Sequence, residues 1–353
     1  RRLCSSVPII SRVAWKTMAA QWTIVGGGDK GGILVREGQK LDSEACKERL
    51  ATGSVIEEVE LAGERLSYKL VTGSGPEVGW ISLKVKGKDM AVKIEKIKYL
   101  GYELEAEKEE KWAVGRNGAP LSVKLSMPVD QDEKVPCCAI FIPGMPQPEF
   151  GNGRCEDPLP NAIMKKCWEL GLPTLRFNYT GYGNSKGEPM ALDDGTTGPS
   201  DFKGVLDRVL RGYCEKVAIL AFSAGNVMTA FPAAPELKQN CLAYANINHG
   251  ARSVAMVSKD SDAIMNTPPE EFYKNNIDNI ASLGEIPHLY IKSEKDWTTP
   301  EADSRWMMDV QSKAAGSKAS AEFMLLPGKH AFEGGTEGPP AKALQDFLAK
   351  VLA

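Results

Sequence analysis

The sequence has no apolar run approaching the roughly 18 residues that a membrane-spanning helix needs, so we expect no membrane span. It also lacks an excess of basic charge, because 43 Lys and Arg stand against 46 Asp and Glu, for a net charge of −3. A nucleic-acid surface needs clustered Lys and Arg to neutralise phosphates. The composition therefore argues against a nucleic-acid partner.

Metal-ligand spacings are absent as well. The eight cysteines form no C-x-x-C pair, and Cys137, Cys138 and Cys241 lie within apolar runs, which is typical of reduced and buried thiols. We therefore expect no bound metal and a reducing compartment, the cytoplasm.

The first 17 residues, RRLCSSVPIISRVAWKT, contain four basic residues and no acidic residue. Two interpretations are open: upstream sequence outside the folded protein, or part of an organelle-targeting peptide, which would change the expected location to an organelle. In either case we set residues 1–21 apart from the fold as a leader or disordered segment.

Residues 22–98 predict a small all-β domain. The runs VIEEVEL, LSYKLVT and GWISLKV alternate partly between apolar and polar residues, and glycines separate them at short intervals. The segments VREG, RLATG and GWIS resemble those of appended SH3-like barrels. This domain is the candidate surface for a protein partner.

From residue 99 to 353 the pattern changes to a mostly parallel α/β sheet with helices on both faces. Continuous apolar runs alternate with helical patterns, which is typical of strands buried on both sides. The candidate strands are 137–142, 173–178, 217–222, 241–247, 288–293 and 322–327, and the candidate helices are 159–171, 200–213, 225–235, 300–314 and 340–352. Asn117-Gly118 predicts a hairpin before them, and residues 250–285 are long enough for a short helical cap.

A serine directly follows one of these apolar strands. In KVAILAFSAGNVMTA, residues 216–230, Ser223 follows the run directly and has Ala221 two residues before it and Gly225 two residues after it. A strand that turns sharply into a helix admits only small residues at those two positions, and it presents the serine at the helix N-terminus. This favours a nucleophile, although a serine capping an ordinary helix fits the pentapeptide too.

A nucleophilic serine needs a base, and the chain has three histidines. His330 follows the last predicted strand, where a loop at the carboxyl edge should begin. His249 lies at the same edge and is its rival, whereas His288 begins a strand at the opposite edge. For the acid, Asp296 follows the strand before His330, with Glu294 as second choice, and the chain order Ser223, Asp296, His330 is that of α/β hydrolases.

Residues from about 100 to 353 resemble the α/β-hydrolase superfamily. The resemblance rests on AIFIPG, on LRFNYTGYGNSKGE, on AFSAGN, and on SEKDWTTP with LPGKHAF. The stretch RFNYTGYGNSKG is similar to one in the dienelactone-hydrolase-like and serine-aminopeptidase-like branches. Two features depart from the family: Ala221 replaces the first glycine of the elbow, and MPQPEFGNG replaces an H-G-G-G loop.

The resemblance implies a carboxylesterase-like serine hydrolase that forms an acyl-enzyme on a small ester substrate. It makes Ser223 the nucleophile, Asp296 the acid and His330 the base. The backbone N–H groups of Ala224 and Met145 would form the oxyanion hole, and no cofactor is needed.

Other functions remain open on the same scaffold: an inactive binding protein, a thioesterase, a peptidase or an acyltransferase. Two aromatic residues are candidates for substrate binding. Tyr182 would border the pocket or pack under its loop, and Trp297, next to the acid, would line an acyl pocket or anchor the surface.

Overall fold

The computed structural model describes residues 20–94, 99–129, 133–144, 155–189, 197–249, 252 and 261–353. The chain divides into two compact units, Arg1–Ile97 and Lys98–Ala353. Nearly all of the expected leader lies outside the described residues, and the first strand begins at Gln21. Within the described ranges, no helix is both long and apolar enough to span a bilayer.

The first unit is all-β in its described residues, as expected. Seven of its strands form one antiparallel sheet in the order β3-β2-β6-β5-β4-β1-β9, and β7 and β8 form a separate hairpin. The strands are β1 Gln21–Ile24, β2 Ile33–Arg36, β3 Ala45–Leu50, β4 Val55–Ala62, β5 Arg65–Thr72, β6 Val78–Ser82, β7 Lys84–Val85, β8 Lys88–Asp89 and β9 Ala91–Ile94.

Period-two alternation builds the core of this unit. On β5, Leu66 and Tyr68 are buried while their neighbours are more exposed, because successive side chains of a strand point to opposite faces. They pack with Trp22, Ile56 and Ile81 from neighbouring strands. The SH3-like relationship stays a prediction.

The second unit contains an eight-stranded sheet in the order β10-β11-β13-β12-β14-β15-β16-β17. The last six strands in that order run parallel, and β10 and β11 run antiparallel at one edge. The strands are β10 Lys108–Ala113, β11 Pro120–Ser126, β12 Val135–Ile142, β13 Thr174–Phe177, β14 Cys214–Phe222, β15 Cys241–Ile247, β16 His288–Lys295 and β17 Ala321–Lys329.

The parallel strands are the apolar runs of the sequence, because helices cover both faces of the sheet. Side chains of β14 alternate between two buried cores, with Ile219 in one and Leu220 in the other. The helices are α1 Pro158–Glu169, α2 Thr197–Gly212, α3 Ala234–Asn240, α4 Ser261–Asn266, α5 Pro269–Phe272, α6 Ile277–Ser282, α7 Glu301–Ala315 and α8 Gly338–Leu352. Helices α1 and α8 contribute to one core, and α2, α3, α6 and α7 to the other.

The helix expected over residues 225–235 is wrong as a single α-helix. The chain instead forms a π-helical turn, Asn226–Ala230, then a 3-10 turn, Phe231–Ala233, and then α3. Pro232 and Pro235 account for the breaks, since proline has no N–H to donate and its ring clashes with the preceding turn.

The segment expected to form a cap, residues 250–285, contains the short helices α4, α5 and α6. Apart from Arg252, residues 250–260 lie outside the described residues. That this segment covers a substrate stays a prediction.

We predict that a fragment spanning residues 99–353 folds on its own. Both cores of the second unit are built from residues within that range, and none comes from β1–β9. Circular dichroism should show the α/β spectrum and one cooperative thermal transition close to that of the full chain. A fragment that stays unfolded in soluble form would contradict the prediction.

Candidate active site

The turn after β14 holds Ser223 in an unusual backbone conformation. Its φ is 51°, in the left-handed region that residues other than glycine seldom occupy. The Ser223 N–H donates to the carbonyl of Ile247 at 2.9 Å, so the β14–β15 pairing extends to the turn itself. The strand therefore ends abruptly and presents the hydroxyl at the carboxyl edge of the sheet.

Close backbone packing explains the small residues around the serine. A Cβ on Gly225 would lie 2.4 Å from the carbonyl oxygen of Pro143, and one on Gly144 would lie 2.8 Å from the Cβ of Ser223. Neither contact is compatible with the present backbone. Ala221 is completely buried within β14, so its methyl group is accommodated where the related pattern has glycine.

Asn226 is a structural residue of the turn that the sequence pattern did not single out. Its side-chain amide donates to the carbonyls of Ala221 at 2.9 Å and Ser223 at 3.1 Å, and its oxygen accepts from the Tyr244 hydroxyl at 2.9 Å. These bonds tie the turn to β15. The asparagine in AFSAGN was visible, but its partner Tyr244 is brought near only by strand pairing.

The structure brings His330 to the serine. His330 lies just after β17, and its Nε2 is 2.7 Å from Ser223 Oγ. Its Nδ1 is 3.0 Å from Asp296 Oδ1 and 2.9 Å from the Thr298 hydroxyl. One continuous hydrogen-bonded row thus joins the three side chains that the sequence nominated.

Asp296 sits just beyond β16 with its side chain fully buried. Its Oδ1 also accepts from the Thr298 N–H at 2.9 Å and from the Thr298 hydroxyl at 2.7 Å, and its Oδ2 accepts from the Lys292 ammonium. Burial alone would raise the pKa of Asp296. The hydrogen bond to His330 and the charge of Lys292 outweigh that effect and hold the pKa well below its usual value, so the group stays ionised at neutral pH.

Asn248 fixes the loop that carries His330. Its side-chain amide donates to the His330 carbonyl at 2.6 Å and to the Ser293 hydroxyl at 3.1 Å, and its oxygen accepts from the Ser293 N–H at 2.7 Å. Its φ of 43° also lies in the left-handed region. Asn248 therefore links the ends of β15 and β16 to the histidine loop, a role that the sequence did not indicate.

The other two histidines are fully buried. Burial lowers the pKa of His288 to about 4, and the ring bonds to the Ile286 carbonyl and to Gln311. Burial likewise lowers the pKa of His249 to about 3. His249 lies at the expected edge, but its Nε2 is 3.0 Å from the Ser304 hydroxyl.

The contacts therefore do not support His249 as the base or Glu294 as the acid. Among the described residues, no hydrogen bond joins His249 to Ser223. Glu294 is exposed, whereas Asp296 is the carboxylate that contacts His330.

The proposed oxyanion donors are only partly within the described residues. Ala224 directly follows the serine and is buried, whereas Met145 lies outside the described residues. The segment before Met145 is held in place, because the Tyr179 hydroxyl donates to the Pro143 carbonyl at 2.9 Å and lies 2.9 Å from the Thr229 hydroxyl.

The two aromatic candidates differ in exposure. Tyr182 is partly buried and packs against the core, and burial raises the pKa of its hydroxyl. Trp297, next to the acid, is 60% exposed. Within the described ranges, no cluster of His, Cys, Asp and Glu side chains is arranged to hold a metal ion.

Comparison with solved structures identifies the fold. The esterase Est1E from Butyrivibrio proteoclasticus, in a structure with bound ferulic acid, matches with a TM-score of 0.52 at 18% identity, covering 68% of this chain and 98% of that chain. The Pyrococcus furiosus esterase Pf2001 matches with a TM-score of 0.52 at 13% identity, covering 70% and 93%. An α/β serine hydrolase without a lid from Xanthomonas campestris has a TM-score of 0.48 at 19% identity, covering 71% and 97%.

No protein-family model matches the chain, and no curated protein matches it. The two matches with TM-scores of 0.52 have identities of 18% and 13%, which speak for the fold alone. Together with the strand order of the second unit, they show that this unit has the α/β-hydrolase fold.

We predict that Gly225→Ala destabilises the protein by about 1–3 kcal/mol, because the added methyl group must displace the Pro143 carbonyl. Gly212→Ala is the matched control, since a Cβ there would meet no atom within 4 Å. Denaturant unfolding of both variants measures the difference. Equal stability of the two variants would contradict the tight turn.

Proposed function

We propose that the chain is a serine hydrolase that cleaves small carboxylic esters through an acyl-enzyme on Ser223. The observation that carries this proposal is the row of hydrogen bonds from Ser223 Oγ through His330 to Asp296, at a left-handed turn on the carboxyl edge of the sheet. The esterases among the similar solved structures support it.

In the first half of the reaction, His330 Nε2 takes the proton of the Ser223 hydroxyl as Oγ attacks the ester carbonyl carbon. The imidazolium that forms carries its other proton on Nδ1, which Asp296 accepts as a hydrogen bond. The tetrahedral intermediate collapses when the bond to the alcohol oxygen breaks, and His330 returns its proton to that oxygen. The alcohol leaves and the acyl group stays on Ser223.

In the second half, a water molecule takes the place of the alcohol. His330 removes one proton from the water, whose oxygen attacks the acyl carbonyl, and then returns the proton to Ser223 Oγ as the acid leaves. In both halves the backbone N–H groups of Ala224 and Met145 are the proposed donors to the oxyanion. One such donor stabilises the transition state by about 2.7–4 kcal/mol.

An ester is favoured over a peptide or thioester for two reasons. The segment proposed as a cap is short, and nothing in the sequence marks a site for a charged peptide terminus.

The nature of the acyl group is a separate question. The exposed indole of Trp297 beside the acid offers an apolar surface to an acyl group. Est1E, whose solved structure holds an aromatic acid, is consistent with an acyl group of that kind.

We predict that Ser223→Ala abolishes labelling by a fluorophosphonate and lowers kcat/KM on p-nitrophenyl acetate by at least about 10⁴-fold. His330→Ala and the double variant should lose about as much as the serine variant, because the residues act as a unit. Ser317→Ala, at an exposed serine, is the matched control and should label normally. Labelling that survives Ser223→Ala would refute the assignment of the nucleophile.

We further predict that Trp297→Ala discriminates between substrates. Its kcat/KM should fall about tenfold on the p-nitrophenyl ester of an aromatic acid and change little on the acetate, because only the larger acyl group reaches the indole. Val129→Ala, which truncates another exposed apolar side chain, is the control. Equal losses on both esters would show that Trp297 does not contact the acyl group.

A further inference from the structure

The two carboxylate oxygens of Asp296 contact different groups. One oxygen faces His330 and Thr298, and the other accepts a hydrogen bond from the ammonium of Lys292. The side chains of Lys292 and Asp296 are only 3% and 0% exposed. A buried cation is thus bound directly to the acid that orients the base.

Lys292 occupies a buried position in β16, of the kind that apolar residues usually fill. The first six residues of β16, HLYIKS, are buried, and Leu289, Tyr290 and Ile291 precede Lys292. Burying an ammonium costs several kcal/mol unless it is paired and hydrogen-bonded, and replacing a whole buried ion pair by apolar residues is often neutral or stabilising. A buried ion pair is therefore weak evidence for a role in stability alone, whereas the contact of Lys292 with Asp296 offers a functional reason for the pair.

We propose that Lys292 is a positioning residue of the triad, which holds the second oxygen of Asp296 and balances the charge of the carboxylate that faces His330. The inference rests on the proposed function, because it assigns Lys292 a role in that reaction. Lys292 lies four positions before the acid and bonds to its carboxylate.

The nearby Arg252 binds a different carboxylate, and Lys292 is the lysine that binds Asp296. Asp303 is engaged by Arg252, which binds both of its oxygens at 2.6 and 2.8 Å. Burial is the largest effect and holds the pKa of Lys292 below its usual value, and the charges of Asp296, Asp303 and Glu301 oppose it. The opposing acids, led by Asp296, favour the ammonium form.

His249 does not add a charge to this cluster at neutral pH. It is buried, and both burial and the charge of Lys292 lower its pKa, to about 3. Its ring contacts the hydroxyls of Ser304 and Tyr273. The cluster that His330 faces is therefore one carboxylate balanced by one ammonium.

The direction of the effect follows from this balance. Protonation of His330 places a second positive charge on a carboxylate that already carries Lys292, and the two like charges repel. Without Lys292, the imidazolium of His330 would meet no like charge on the Asp296 carboxylate and would form more readily. Loss of Lys292 should therefore inactivate the base at a higher pH.

The test compares Lys292→Met with Lys295→Met, which removes an exposed charge next to Asp296 in sequence. The pH dependence of kcat/KM on p-nitrophenyl acetate should show an acidic limb that moves up by about one pH unit in Lys292→Met. In Lys295→Met it should stay in place, because solvent screens an exposed charge. Coincident limbs in the two variants would overturn the proposal, and so would a downward shift.

A measurement on the unchanged protein decides the question if Lys292→Met does not fold. With lysine labelled by ¹³C at Cε, the Lys292 signal should show an ammonium throughout the pH range of activity and should shift when His330 takes up a proton. A neutral amine in that range would overturn the proposal. Failure of the proposed function is distinguishable, because it would appear as labelling of Ser223→Ala and would leave this titration unaffected.

Discussion

A left-handed turn at a residue that is not glycine, Ser223, is the constraint on which the site depends. The strained backbone is held by pairing with Ile247 and by the amide of Asn226, which binds carbonyls on both sides of the turn. Gly225 lets the following helical turn approach the end of β12. The turn places the hydroxyl beside His330, and the order of the strands places the remaining groups around it.

A second constraint is the charge on a fully buried carboxylate. Asp296 stays ionised because the Thr298 backbone and hydroxyl, His330 and Lys292 all donate to it, and these contacts outweigh the cost of its burial. An anion with so many donors is also fixed in position. In the proposed reaction it would orient the imidazole without moving, as a preorganised acid does in acyl transfer.

Local sequence patterns predicted much of this arrangement. The six apolar runs overlap the parallel strands β12–β17, because strands that helices cover on both faces are mostly apolar. The small residues around Ser223 marked the sharp turn for a steric reason that acts within a few residues. The same reasoning failed for the helix at 225–235, where two prolines divide the chain into three short helical turns.

The sequence by itself determined the fold class and the three side chains nominated for catalysis, since periodicity and small-residue spacing are local properties. Only the tertiary structure shows that His330 rather than His249 lies beside Ser223, because burial and partners depend on which strands lie side by side. The same holds for Asn248 and Lys292. Asn248 bonds to the loop that carries His330, and Lys292 bonds to Asp296 just beyond the end of its own strand. Such contacts exist only after the sheet has assembled.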